Sequence, residues 1–138
     1  MSDDTPSARE RLASCCCGQL RVRTRGEPVR VSMCHCLECQ RRCGSVFAAQ
    51  ARFPDDRVEI EGESTEYSRT GDEGGVARFH FCPRCGSTVW YVFDGAPGMT
   101  VVTVGAFADP HFPPPSFSVY EDRRHAWVAV PEGAERWA

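Results

Sequence analysis

The chain has 138 residues, a formal charge of −3 from 16 Arg against 19 Asp plus Glu, and nine cysteines. That length suits one domain with a real core, and 41% hydrophobic with 25% charged residues is the balance of a soluble globular protein. The mild acidity argues against an electrostatic nucleic-acid binder, and the absence of Lys excludes Schiff-base chemistry on a lysine.

Residues 1–12 read as a flexible polar leader and residues 13–138 as a single domain. The opening MSDDTPSARERLASCCCGQL carries acid early and has no apolar run of signal-peptide length. No stretch approaches a membrane-spanning run either, so a cytoplasmic location without a membrane partner is expected. Apolar residues then alternate with period two in LRVRTR (20–25), VRVSM (29–33), SVFAAQARF (45–53), RVEIEG (57–62), STEYSR (64–69), VARFHF (76–81), TVWYVF (88–93), MTVVTV (99–104) and FSVY (117–120). Glycine- and proline-rich turns punctuate these runs. Only 36–43, CLECQRRC, predicts a helical turn or two, and Pro113–Pro115 reads as a rigid extended connection. The expectation is a mostly β domain of small antiparallel strands with little helix.

Three uses of the cysteines compete: disulfides, metal sites and inert buried thiols. Disulfides need an oxidising compartment, and sequence-adjacent thiols have poor geometry for bridging. Inert thiols rarely gather at intervals of two and three, so metal binding is the expected use. Phe81-Cys82-Pro83-Arg84-Cys85-Gly86 between two strand-like runs is the pattern of a zinc knuckle, with both sulfurs on one side of a turn. A knuckle supplies two ligands and must recruit two more. Either Cys15 and Cys17 or the group Cys34, Cys36 and Cys39 can complete it, and spacing does not choose. If the first group joins, Cys34, Cys36 and Cys39 stand alone as three thiolates, the number that leaves zinc an open fourth position. Cys43 and His35 compete for that position. Cys43 lies four residues after Cys39 and would share its helical face.

The succession Cys15-x-Cys17-Gly18, then CHCLECQRRCGSVFAA (34–49), then FCPRCGSTV (81–89) resembles the glutathione-dependent formaldehyde-activating enzyme family, which includes the centromere protein V domain. GAFADP (105–110) and His125-x-Trp127 are similar to its terminal elements. The resemblance spans roughly residues 13–130. It implies a β-tent fold of small antiparallel sheets stapled by two Zn²⁺. Cys15, Cys17, Cys82 and Cys85 would hold the structural ion, and Cys34, Cys36 and Cys39 the catalytic one. It also implies carbon–sulfur lyase chemistry that joins glutathione, as co-substrate, to formaldehyde or another small aldehyde. Departures from the family pattern are Cys43, where a small non-ligating residue is expected, and Cys16 beside two ligands.

On this basis Arg41, Arg42 and Arg84 are candidates to bind glutathione carboxylates through forked hydrogen bonds. Glu38 reads as an exposed acid and His80 as structural; of Trp90 and Tyr91, one is expected in the core and the other beside a pocket. A non-catalytic zinc scaffold and a redox sensor using Cys16 and Cys43 are the alternatives. Seven thiolates around two Zn²⁺ would take the chain from −3 to about −6, weakening a nucleic-acid role further.

Overall fold

The computed structural model describes residues 9–71 and 73–138. Of the expected leader, residues 1–8 lie outside the described residues. Glu10, Arg11 and Leu12 belong instead to β1 (Glu10–Ser14), so the paired structure starts upstream of residue 13. β1 runs antiparallel to β2 (Arg21–Arg25), and Arg11 reaches Glu27 at 3.1 Å. Backbone pairing and this ion pair, more than apolar alternation, hold a strand of sequence ERLAS in place.

The chain continues through β3 (Arg30–Cys34), α1 (Leu37–Cys43), β4 (Ala48–Pro54), β5 (Val58–Glu61), β6 (Thr65–Thr70) and β7 (Val76–Phe81). It ends with β8 (Thr88–Phe93), β9 (Met99–Thr103), β10 (Phe117–Val119) and β11 (Glu135–Arg136). Among the described residues the protein is mostly β with one short α-helix, as the alternation predicts. Strands β1-β2-β5 form a small sheet, and β11-β10-β3-β4-β9-β8-β7-β6 form a large one. Pairing is antiparallel except at β10, which runs parallel to both β3 and β11. Parallel pairing requires a crossover rather than a hairpin. The connection from Val104 supplies it, through a 3-10 turn (Val104–Phe107), the stacked Phe107–Phe112 pair and the proline run.

Successive strand residues face opposite sides, and this alternation builds two cores. Val22 of β2 and Leu20 just before it meet Val31, Phe53, Val89 and Val102 between the two sheets. Val101, the neighbour of Val102, points the other way and joins Phe79 and Tyr91 on the outer face of the large sheet. That outer face carries α1, whose Arg42 guanidinium lies 4.4 Å over the Phe79 ring. Trp90 and Tyr91 are therefore divided between the two cores, and neither lines the two cavities beside α1. The expected strand at 45–47 is absent. Gly44 caps α1 at φ 72 and donates to the Gln40 carbonyl at 2.8 Å, and the chain needs the next residues to turn back into β4. Among the described residues no helix is long and apolar enough to cross a membrane.

Candidate metal centres

Two turns bring the first cysteine group together. After β1, the Cys15 and Leu20 backbones are joined at 3.0 Å, and Gly18 at φ 87 closes the loop. After β7, Gly86 at φ 82 donates to the Cys82 carbonyl at 2.8 Å. Both positions take the left-handed backbone that glycine tolerates without strain. The Sγ atoms of Cys15, Cys17, Cys82 and Cys85 all lie within 4.8 Å of one another. Cys15–Cys17 and Cys17–Cys82 are each separated by 3.7 Å. Thiolates about 2.3 Å from a tetrahedral Zn²⁺ stand about 3.8 Å apart, so the set fits zinc and is far too open for disulfides at about 2.05 Å.

The donors around these sulfurs suit thiolates too. Leu20 N–H reaches Cys15 Sγ at 3.3 Å, Arg84 N–H reaches Cys82 Sγ at 3.3 Å, and Gln19 Nε2 reaches Cys82 Sγ at 3.0 Å. The Ser87 hydroxyl and backbone, with the Cys17 backbone, hold the Cys85 thiol down at about 5. Gln19 also bonds both the N–H and the carbonyl of Glu63, tying the cluster to the β5–β6 turn. There Gly62 has φ 99, and a Cβ would meet the Gln19 carbonyl oxygen at 2.0 Å. Gly62→Ala is therefore expected to cost about 3 kcal/mol and lower the melting temperature by about 10 °C, checked by thermal unfolding.

The second group forms where β3 runs into α1. Cys34 ends the strand, Cys36 is the helix N-cap, and its sulfur accepts from Cys39 N–H at 3.3 Å. Their three sulfurs lie within 4.8 Å of one another, with Cys34 and Cys39 at 3.3 Å. Contacts from the Cys34 and Cys39 thiols, the Cys39 N–H and the charge of Arg69 hold Cys36 far below the usual thiol range. The contact with Cys36 pushes Cys34 far up. An all-sulfur trio of this kind fits zinc with a position left over.

Neither competitor for that position occupies it. His35 turns inward, fully buried, with Nε2 2.9 Å from Ser118 Oγ, and burial lowers its pKa. Cys43 is exposed, and its sulfur faces the carbonyls of Phe47, Gln40 and Ser45 at 3.5, 3.9 and 4.0 Å. Cys43→Ser is expected to leave the metal content unchanged, which metal analysis of the purified protein checks.

Two cavities flank α1. One of about 650 Å³ opens between the Cys15–Cys16 turn and β4 and includes Cys43. The other, about 500 Å³, lies over Tyr67, Phe79 and Phe81. Arg42 borders both. Arg41 borders only the smaller cavity and pairs with Glu38 at 2.7 Å, while Arg84 is exposed and borders neither. Arg69 of β6 also lines the smaller cavity. No motif marks it; only its place two residues after Tyr67 on one face of a strand could have drawn attention to it. His80 stacks on Trp90 at 3.8 Å, with Nδ1 2.8 Å from Ser64 Oγ and Nε2 3.3 Å from Glu66, a packed structural position. His125 meets Gln40 at 3.0 Å and the His111 backbone N–H donates to Asp109, and among the described residues neither histidine enters a cysteine group.

Sheets wrapped around one four-sulfur and one three-sulfur group define a small β domain able to hold metal ions at two places. The family described as Glutathione-dependent formaldehyde-activating enzyme matches residues 10–123, and the chain belongs to that family. Among solved structures, a Rhodobacter sphaeroides protein has a similar fold, with TM-score 0.55 and 20% identity over 92% of this chain and 99% of its own. No curated protein matches the sequence.

Proposed function

We propose that this chain is a zinc-dependent enzyme of carbon–sulfur lyase type, acting on adducts between glutathione and formaldehyde or another small aldehyde. The observation that carries the reading is the trio Cys34, Cys36 and Cys39, three sulfurs within 4.8 Å with no fourth protein donor in the group among the described residues. Cys15, Cys17, Cys82 and Cys85 hold a structural Zn²⁺ in this reading. A Zn²⁺ on the trio would supply one open position at which a thiol loses its proton more readily.

The chain's own residues do the rest. Arg42 and Arg69 place positive charge beside Cys39 and Cys36 and favour the anionic form of a thiol docked there. Of the arginines expected to hold glutathione, Arg42 is best placed, because it borders both cavities; Arg41 is already engaged by Glu38. In the forward direction the thiol gives up its proton, its sulfur bonds to the aldehyde carbon, and the carbonyl pair moves to oxygen, which takes a proton. The reverse breaks the same carbon–sulfur bond. Holding both reactants in one place replaces a bimolecular encounter by a nearly intramolecular one. A cytoplasmic location belongs with this reading, since none of the nine cysteines is in a disulfide and thiols stay reduced in that compartment.

The test is exchange NMR with ¹³C-formaldehyde and glutathione. The enzyme should speed interconversion of free formaldehyde and S-hydroxymethylglutathione; a rate equal to the spontaneous one would leave a zinc scaffold.

A further inference from the structure

The smaller cavity is built for something other than a one-carbon aldehyde. Its floor is aromatic: Tyr67 stacks on Phe79 at 6.5 Å and 23°, and Phe81 lies beside them. Tyr67 stays 55% exposed, a large ring offered to the cavity rather than packed away. Formaldehyde has no apolar surface to cover such a floor.

The charges point the same way. Arg42 and Arg69 are half-buried in the cavity wall, and among the described residues neither has a carboxylate within 4.0 Å. Arg41, by contrast, is neutralised by Glu38. The charge of Arg42 and Arg69 meets the cysteine sulfurs of the trio and, for Arg42, the Phe79 ring, so a carboxylate arriving in the cavity would give Arg69 a forked hydrogen-bond partner it lacks. Glutathione brings carboxylates but no flat apolar body, and the cavity of about 650 Å³ across Arg42 has room for it.

We infer that the cavity over Tyr67, Phe79 and Phe81 binds the aldehyde partner, and that this partner is a flat, apolar-bodied aldehyde bearing a carboxylate. The exposed Tyr67 ring, with Phe81 beside it, holds the body and Arg69 holds the carboxylate, while Arg42 stays with glutathione. As an assignment of the aldehyde this rests on the thiol–aldehyde reading above, and the bonds made and broken are those given there. The ligand site itself does not depend on it.

The test is calorimetric titration of the zinc-loaded full chain, without glutathione, using 4-formylbenzoate and benzaldehyde as probes. Both carry the same aldehyde, so their difference reads the carboxylate alone. The lack of lysine keeps Schiff-base formation on lysine side chains out of the measurement. 4-Formylbenzoate should bind about tenfold more tightly than benzaldehyde, the worth of one charge-assisted hydrogen-bonded pair. Arg69→Gln should abolish that preference, Arg69→Lys should keep part of it, and Tyr67→Ala should weaken both probes.

Equal affinities for the two probes, or a preference that survives Arg69→Gln, would overturn the inference. So would loss of 4-formylbenzoate binding when glutathione is present at saturation, since the arginines would then serve glutathione's own carboxylates. Selective probe binding in a protein that does not accelerate formaldehyde–glutathione exchange would uphold the site while sinking the enzyme reading. Accelerated exchange without probe binding would do the opposite.

Discussion

If Cys15, Cys17, Cys82 and Cys85 hold the structural ion proposed above, exchange of Cys82 for Ser is expected to unfold most of the protein at 37 °C and to release its bound zinc. Cys82 is fully buried in the core between the sheets, and its sulfur lies 3.7 Å from Cys17 across 65 positions of sequence. A metal there staples the turn after β1 to the turn after β7, two segments whose neighbouring hydrogen bonds are mostly local. Structural zinc contributes on the order of 10–16 kcal/mol in small zinc domains, as much as a domain's whole stability of about 5–15 kcal/mol. Ser keeps the size but offers a weak, protonated oxygen where a thiolate is needed. Thermal unfolding with metal analysis checks this. A melting temperature within a few degrees of the parent, with both ions retained, would remove the structural role from this cluster.

Exchange of Cys36 for Ser should have the opposite profile, with fold retained, one zinc lost, and formaldehyde–glutathione exchange reduced to its spontaneous rate. Cys36 is the N-cap of α1, with φ −61 and ψ 149 and its side chain accepting from Cys39 N–H. Serine is among the best residues for that position, so the helix start survives the change. The residue is only partly buried, and no part of either core rests on it. What disappears is one of three donors, which leaves two sulfurs to hold the ion. Circular dichroism and thermal unfolding report the fold, metal analysis the ion, and exchange NMR the activity. Full activity in this variant would sink the assignment of the trio as the reacting centre.

The contrast between these two cysteines is legible in the sequence only in part. Within each group the spacing is enough, because Cys-x-Cys-Gly and Cys-x-x-Cys-Gly are local turns whose geometry depends on a few neighbouring residues and a glycine. The strands at 76–81 and 88–93 are legible for a similar reason: alternation is a local property, and β7 and β8 match it residue for residue. The helix at 37–43 follows from the same kind of short-range pattern. β1 and β11 escape because ERLAS and a two-residue strand carry almost no alternation; partners already in place hold them. The parallel setting of β10 against β3 escapes because a strand's own residues do not say in which direction its neighbour runs.

Cys43 marks the boundary. Helical spacing puts it on the face of Cys39, which is correct as far as the backbone goes. The left-handed Gly44 then bends the chain so that the carbonyls of Ser45 and Phe47 gather around its sulfur, and the thiol faces them rather than the trio. Arg69 is the converse case, a residue without a motif that the pairing of β6 with β7 carries to the wall of the smaller cavity.

The sequence by itself determined a mostly β chain, three cysteine motifs able to ligate metal, and membership of a glutathione- and formaldehyde-linked family. Those are consequences of periods and spacings a few residues long. Only the tertiary structure decided that Cys15 and Cys17 meet Cys82 and Cys85, and that Cys34, Cys36 and Cys39 are left as three. It also decided that Arg42 and Arg69, with no carboxylate within 4.0 Å among the described residues, border a cavity lined by Tyr67 and Phe81. The reason is physical. A metal site or a cavity joins side chains at distances of a few ångströms, and which distant segments come that close is set by strand order and by which face of a sheet each residue occupies.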